Sequence, residues 1–262
     1  MKKGSRLVSG YAFLGLLIFM TACSLRAEDK HLTREEAVIA KTIKQAESVD
    51  SYAIEVGILD DIAWGDGTKK YTYSMISGTE ALESRRGYSE IVEVEGNEET
   101  ETTVFNKEIY ESEDEIYVNV DHEGWKIPSD PESYEYEETE YEGAIRFLEN
   151  IENVEDIIIE ENEKTFEITF PEMAEVLYEF YAQVLSVMES DAFVETGVPE
   201  AFIKIDKEDY SVREFTTKFF YDARTGSTSE RVVTIEFRFD DINEIEDIKI
   251  PDEVIEEAEA NE

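Results

Sequence analysis

Apolar residues recur along the chain with two different spacings, and the spacing changes several times. From Thr33 to about Val49 they recur every three to four positions, which predicts an amphipathic helix. Residues 33–36 (TREE) match a capping box, in which the first and last side chains bind free N–H groups at a helix start. From Tyr52 apolar and polar residues alternate, which is typical of a half-buried strand. Residues 64–67 (WGDG) then predict a turn, so a hairpin follows the helix.

The same alternation predicts further strands over most of the chain. They are expected at residues 71–75, 88–95, 100–105, 116–120, 154–160, 165–170, 202–205, 210–221 and 230–239. The acidic stretch 129–142 between them contains Tyr134, Tyr136 and Tyr141 and is interpreted as a solvated loop whose tyrosines anchor it to the sheet. A partner-docking strip is the alternative interpretation of these tyrosines.

The strongest helical pattern lies between residues 171 and 190. Pro171 suits the first position of a helix, and a wide apolar face with glutamates opposite follows it. A second, shorter helix is expected around residues 144–151. The order of helix, strands, helices and strands predicts an α+β fold with a large antiparallel sheet. Because its strands alternate cleanly, helices are expected to cover one face of that sheet.

The charge of the chain excludes some classes of partner. Asp and Glu number 65 against 24 Lys and Arg, which gives a formal net charge of −41. Nucleic acids and anionic lipid surfaces are polyanions, so binding to either through charge is excluded. A salty or alkaline habitat is one hypothesis for the acidic excess. Hydrophobic residues make up 41% of the chain, which is enough for a folded core and predicts one domain.

The single cysteine, Cys23, ends a segment with the layout of a secretory signal peptide. Three basic residues, Lys2, Lys3 and Arg6, precede an uncharged and mostly apolar run over residues 7–20. This run is shorter than the roughly 20 residues that a transmembrane helix needs. An uncleaved signal anchor is the alternative interpretation.

Residues 20–23 (MTAC) resemble the lipobox of bacterial lipoproteins. That resemblance implies a diacylglycerol thioether on Cys23, which becomes the first residue of the mature chain, and two acyl chains suffice for stable anchoring. The expected organisation is a lipoprotein signal peptide over residues 1–22, a lipidated tether over 23–32 and a single α+β domain over 33–262. The expected location is the outer face of the cytoplasmic membrane, of the Gram-positive type.

Candidate catalytic chemistry is sparse. The two histidines are His31 in the tether and His122 in a predicted hairpin turn, and no Gly-x-Ser-x-Gly, His-Glu-x-x-His or phosphate-binding glycine-rich motif accompanies them. Pairs of carboxylates are uninformative, because any fold of a chain with 65 acidic residues brings some together. The sequence therefore predicts a protein that is not an enzyme and that has no cofactor and no metal site.

Three stretches resemble a known family. They are residues 48–56 (SVDSYAIEV), 108–128 (EIYESEDEIYVNVDHEGWKIP) and 233–258 (VTIEFRFDDINEIEDIKIPDEVIEEA). In this order behind a lipobox, they resemble the lipoprotein-carrier-like group, which includes LolA and the mycobacterial LppX/LprG type, and surface lipoproteins of Gram-positive bacteria. The resemblance implies a curved antiparallel sheet, a half-open barrel, with helices covering its concave face and acyl chains held between them.

The expected function is non-enzymatic binding or carriage of an apolar or lipid-like ligand between the sheet and a helical lid over residues 171–190. The candidate cavity residues are Met173, Leu177, Phe180, Tyr181, Val184 and Met188 on the helix and Val233, Ile235, Phe237 and Phe239 on the last strand. The same side chains also suit an ordinary packed core. The alternative function is a cell-envelope interaction or sensing module with a solid core and no ligand cavity. The expected partners are the lipid bilayer, through Cys23, and the apolar ligand.

Overall fold

The computed structural model describes residues 32–82, 86–97, 100–112, 115–129, 139–151, 157–170, 193–196, 198–223, 229–246 and 248–261. The chain divides into two compact units after Val38, within the first helix. The first unit holds the start of that helix, and the second holds every other element named below. The predictions for Cys23, the tether and the lid over residues 171–190 lie outside the described residues.

The described residues form three helices and twelve strands. The helices are α1 (Arg34–Ala46), α2 (Glu140–Asn150) and α3 (Asp252–Ala260). The strands are β1 (Ser51–Ala63), β2 (Lys69–Ala81), β3 (Arg86–Gly96), β4 (Glu101–Glu111), β5 (Ile116–Val120), β6 (Trp125–Lys126), β7 (Ile158–Glu161), β8 (Thr165–Phe170), β9 (Phe193–Glu195), β10 (Glu200–Asp206), β11 (Val212–Ala223) and β12 (Glu230–Asp240).

All of these strands belong to one antiparallel sheet. Its order is β6-β5-β4-β3-β2-β1-β12-β11-β10-β8-β7, and β9 pairs with β11. The strands from β1 to β6 form a meander of successive hairpins, whereas β12 returns to β1 and pairs with it from Ala53 opposite Asp240 to Ala63 opposite Glu230. The predicted α+β class with a large antiparallel sheet is confirmed.

The first predicted helix, α1, begins where the sequence predicts and ends earlier. The capping box is confirmed, since the Glu36 N–H donates to Thr33 Oγ1 at 3.2 Å and the Thr33 N–H donates to Glu36 Oε2 at 2.5 Å. The helix ends at Ala46, three residues before the predicted end at Val49.

Strands β1 and β2 are both longer than the alternation predicts. Strand β1 continues past Ile58 through Asp60 and Asp61 to Ala63. Here Asp60 accepts two hydrogen bonds of 2.7 Å from Arg231 on the neighbouring β12, so the charge is neutralised within the sheet.

The prediction of a solvated loop over residues 129–142 is wrong at its end, where α2 begins. Thr139 caps α2 in a second capping box with Glu142, and Tyr141 is 2% exposed. Tyr141 packs against the sheet, as the anchoring interpretation predicts. Tyr134 and Tyr136 lie outside the described residues.

Register and pleat divide the side chains of the sheet between two faces. The face that includes Val56 and Phe237 is called the inner face here, and the opposite one the outer face. Cross-strand partners on the inner face form one lateral row over seven strands from β8 to β3, called the apolar row. Its residues are Ile168, Ile203, Phe215, Phe237, Val56, Ile76 and Ile91.

The helices α2 and α3 pack on opposite faces of the sheet. Tyr141 of α2 lies against Tyr52 and Phe239 on the inner face, with ring centroids 5.5 and 5.0 Å apart. Val254 and Ala258 of α3 pack instead with Tyr117 on the outer face, near the β5–β6 edge. The inner face is therefore where α2 meets the apolar row.

Candidate functional site

The inner face excludes water over its central strands. Several of its residues on four neighbouring strands have a relative exposure of 0%, among them Ile168, Ile203, Phe215, Phe219 and Val233. Full burial of such side chains contributes about 1.5–3 kcal/mol each. Ile76 and Ile91, at the β3 end of the apolar row, are only half-buried. The row thus becomes more exposed toward β3.

The predicted cavity residues are placed only in part. Val233, Ile235 and Phe239 are buried on the inner face, and Phe237 lies half-buried on the same face within the apolar row. Met173, Leu177, Phe180, Tyr181, Val184 and Met188 lie outside the described residues. The structure therefore locates the strand half of the predicted site and brings it together with α2.

Helix α2 covers part of this face with aromatic side chains. Phe147 contacts Phe170 and Phe215, with ring centroids 5.5 and 4.8 Å apart, and Tyr52 contacts Phe239 at 5.5 Å. Tilted and edge-on pairs at these distances are close-packed. Beneath α2 the core is consequently filled.

Beside this packing lies a place where two small side chains are neighbours. Ala201 and Thr217 are opposite each other on β10 and β11, between Phe170 and Ile235 in the next lateral row. Thr217 is 0% exposed, and its Oγ1 has no hydrogen-bond partner among the described residues. A buried hydroxyl without a partner costs free energy, so this position calls for a polar group near it. Sequence reasoning missed Thr217 because a threonine is ordinary in a strand.

A group of carboxyl side chains lies at the end of the inner face where α2 begins. Three carboxyl side chains and one tyrosine hydroxyl form this acid cluster, which consists of Glu80, Glu111, Glu140 and Tyr52. In the register, Tyr52 is opposite Glu80, Glu80 is opposite Gly87, and Gly87 is opposite Glu111. Because Gly87 has no side chain, nothing lies between the carboxyl groups of Glu80 and Glu111 in this row. The Tyr52 hydroxyl donates a hydrogen bond to Glu80.

Burial and neighbouring negative charges raise the pKa values of side chains in the acid cluster. Burial, followed by the negative charge of Glu140, raises the pKa of Glu80 to about 8. Burial and the neighbouring Glu80 raise the pKa of Tyr52 far above its usual value, so Tyr52 remains a donor. Burial also raises the pKa of Tyr141 to about 12. The cluster therefore holds a proton at neutral pH between the sheet and the first turn of α2.

The structure places His122 far from any such environment. It lies in the β5–β6 turn with a φ of 60°, and its side chain is 72% exposed. Its Nδ1 is 3.8 Å from Glu108 Oε2. His31 lies outside the described residues. The acid cluster, by contrast, was missed by sequence reasoning because Glu80 is one of 65 acidic residues and only the register singles it out.

No group of three or more His, Cys, Asp or Glu in the described part of the chain is arranged to hold a metal ion. Within the same residues, no helix has the length and apolarity to cross a bilayer.

Comparison with known proteins shows the family of the chain and a distant likeness to solved structures. The model of a "Family of unknown function (DUF6612)" matches residues 34–259. No curated protein matches. Among solved structures, that of a LolA superfamily protein from Nitrosomonas europaea is 10% identical with a TM-score of 0.22, covering 86% of this chain and 97% of that chain. The resemblance to the lipoprotein-carrier-like group stays a prediction.

The acid cluster predicts a specific effect of Glu80→Gln on stability. The pKa of Glu80 is about 8 in the folded protein against 4.5 without its environment, so the folded state keeps a proton that the unfolded chain releases between these pH values. The free energy of unfolding therefore falls as pH rises through this window. Glutamine still accepts the hydrogen bond from Tyr52 but cannot ionise. We expect urea denaturation to show that the advantage of the variant over the wild type grows by up to about 4 kcal/mol from pH 5 to pH 9.

Glu149→Gln is the matched control, because Glu149 is an exposed glutamate on the same helix. Its difference from the wild type should be the same at both pH values. A difference for Glu80→Gln that does not change with pH would contradict the protonated state of the cluster.

Proposed function

The chain belongs to the DUF6612 family, and we propose that it is an extracytoplasmic, membrane-anchored binding protein that is not an enzyme. Its ligand is apolar and lipid-like, and the inner face of the sheet is the binding surface. The apolar row is the observation on which this proposal depends most.

The apolar row is longer than helix α2, so a second segment is needed to cover all of it. Seven strands at about 4.8 Å spacing make the row about 29 Å long, whereas the 11 residues of α2 form a helix about 16 Å long. We propose that the segment 171–190 covers the rest of the row with the apolar side of its predicted helix. The ligand lies between that lid and the row, with its apolar chain on the β1 to β3 side, where Ile76 and Ile91 are half-buried, and its other end toward β11.

Thr217 supports a ligand that has one polar group. Its hydroxyl lies in a dry, apolar surrounding without a partner among the described residues. A carbonyl or carboxylate oxygen at the end of an acyl chain is a suitable acceptor for this hydroxyl. An entirely apolar ligand leaves the hydroxyl unpaired.

The anchor is the second part of the proposal. Lipidation of Cys23 attaches the mature chain to the outer face of the cytoplasmic membrane, and a tether over residues 23–32 spans at most about 35 Å. The whole chain has a net charge of −41, so an anionic membrane surface repels it. The tether therefore holds the domain near the bilayer without laying it on the headgroups.

One observation favours the alternative function, an interaction or sensing module with a solid core. The aromatic rings beneath α2 pack with centroids 4.8–5.5 Å apart, so that part of the inner face has no room for a ligand. If the whole interior is packed in this way, binding takes place on the surface of the domain.

Native mass spectrometry of the gently purified full chain tests the ligand. We expect an adduct of lipid mass that organic solvent extracts. Thr217→Val keeps the side-chain shape and removes the donor, so it should lower the fraction of loaded protein, with an affinity loss of about 2–10-fold for one hydrogen bond. Thr216→Val is the matched control, since Thr216 lies on the outer face, and it should leave loading unchanged. A wild-type protein with an empty mass and no extractable lipid would favour the alternative function.

Metabolic labelling with radioactive palmitate tests the anchor separately. The wild-type chain should take up label and fractionate with membranes. Cys23→Ala removes the sulfur, so we expect an unlabelled chain that persists as a precursor or is shed into the medium. Ser24→Ala serves as the control and should label normally. Undiminished labelling of Cys23→Ala would refute the lipid anchor.

A further inference from the structure

A second candidate site lies at the opposite ends of β1 and β2 from the acid cluster. A cleft of about 760 Å³ separates the tip of the β1–β2 hairpin from the tip of the β3–β4 hairpin. Each of β1 and β2 is 13 residues long, so the cleft is about 40 Å along the strands from Tyr52 and Glu80. The nearest residue of the apolar row is Ile91, which is four residues and about 13 Å from Glu95 along β3, so the cleft lies beyond the end of the proposed lipid site and is argued from different residues.

Hydrogen bonds fix both walls of this cleft. In the first hairpin tip, the Trp64 N–H donates to the Thr68 carbonyl at 2.8 Å, and Asp66 Oδ1 accepts from the Thr68 N–H at 2.9 Å. In the second tip, the Asn97 N–H donates to the Thr100 carbonyl at 2.9 Å, and Asn97 Oδ1 accepts from the Thr100 N–H at 3.1 Å. The described parts of both walls are thus held by hydrogen bonds, which lowers the entropic cost of binding a ligand between them.

The lining of the cleft combines a flat apolar surface with paired polar groups. Trp64 is 43% exposed and Val104 is 47% exposed, and both line the cleft. Lys70 and Glu95 form an ion pair of 3.4 Å across β2 and β3, in which about half of each side chain faces solvent. Thr102 adds an exposed hydroxyl. An aromatic platform therefore lies beside a cation, an anion and a hydroxyl.

We propose that this cleft binds a neutral oligosaccharide. One face of a pyranose ring presents C–H groups that stack on an indole, while its edge presents hydroxyls that both donate and accept hydrogen bonds. Lys70 supplies donors, Glu95 supplies acceptors, and Thr102 supplies both. The volume of about 760 Å³ lies within the range of about 300–1,000 Å³ that is usual for ligand sites.

Other ligand classes fit this chemistry less well. Two lysines, Lys69 and Lys70, and one glutamate, Glu95, line the cleft, so an anionic polymer is disfavoured by the net charge of −41 of the whole chain and not by the cleft itself. An apolar ligand removes water from the Lys70–Glu95 pair and offers no hydrogen bond in return, which is costly. A neutral sugar replaces that water with its own hydroxyls.

Intrinsic tryptophan fluorescence of the full chain is the first test. The chain has two tryptophans, and Trp125 packs against Tyr110 with centroids 5.3 Å apart near α3. In a Trp125→Phe background, the emission therefore reports on Trp64 alone. We expect a saturable change in this emission on titration with N-acetylchitotriose or with a soluble neutral glucan. No change with either sugar would overturn the proposal.

Calorimetric titration of variants identifies the binding surface. Trp64→Ala should weaken sugar binding at least tenfold, whereas Trp64→Phe keeps a ring and should recover part of the affinity. Glu95→Gln and Thr102→Val should each weaken it severalfold. Tyr73→Ala is the control, because Tyr73 is 37% exposed on the outer face and does not line the cleft. Equal affinities for Trp64→Ala and Tyr73→Ala, with unchanged circular dichroism, would place binding elsewhere and contradict the proposal.

Discussion

Burial of the apolar row is the interaction on which the rest of this structure depends. The row forms only because seven strands are antiparallel neighbours in a register that places one large side chain of each strand in line. A shift of one residue on any strand would turn its side chains to the other face. The hydrophobic gain therefore specifies the register, and the register then fixes the position of every polar group described above.

The acid cluster and the Asp60–Arg231 pair show how so acidic a chain tolerates charge in its sheet. Asp60 is neutralised by two hydrogen bonds from Arg231, and Glu80 is neutralised by a proton. The second solution depends on pH, because the proton leaves as the medium becomes alkaline. Its location at the start of α2 links the protonation of the cluster to the helix that packs on the inner face.

The sequence was sufficient to predict the class of fold, because alternation of apolar and polar residues directly reports a strand with one buried face. It predicted that Val233 and Phe239 share a face, and the structure places both there. It could not predict Glu80, Thr217 or the Trp64 cleft. The surroundings of each of these residues depend on which residues of neighbouring strands pair with its own strand. The alternation of apolar and polar residues within one strand does not say which strand is its neighbour or in which register the two pair. Tyr141 was assigned to a loop because the acidic residues around it hid the capping box of α2.

The central claim is that the inner face of the sheet binds the acyl ligand, and photo-crosslinking tests it most directly. The full chain would be loaded with a long-chain fatty acid bearing a diazirine, irradiated, digested and mapped by tandem mass spectrometry. The account predicts adducts on inner-face residues of β1, β2 and β3, among them Val56, Ile76 and Ile91, that an excess of unlabelled fatty acid suppresses. Adducts confined to outer-face residues, or labelling that competitor does not suppress, would contradict it.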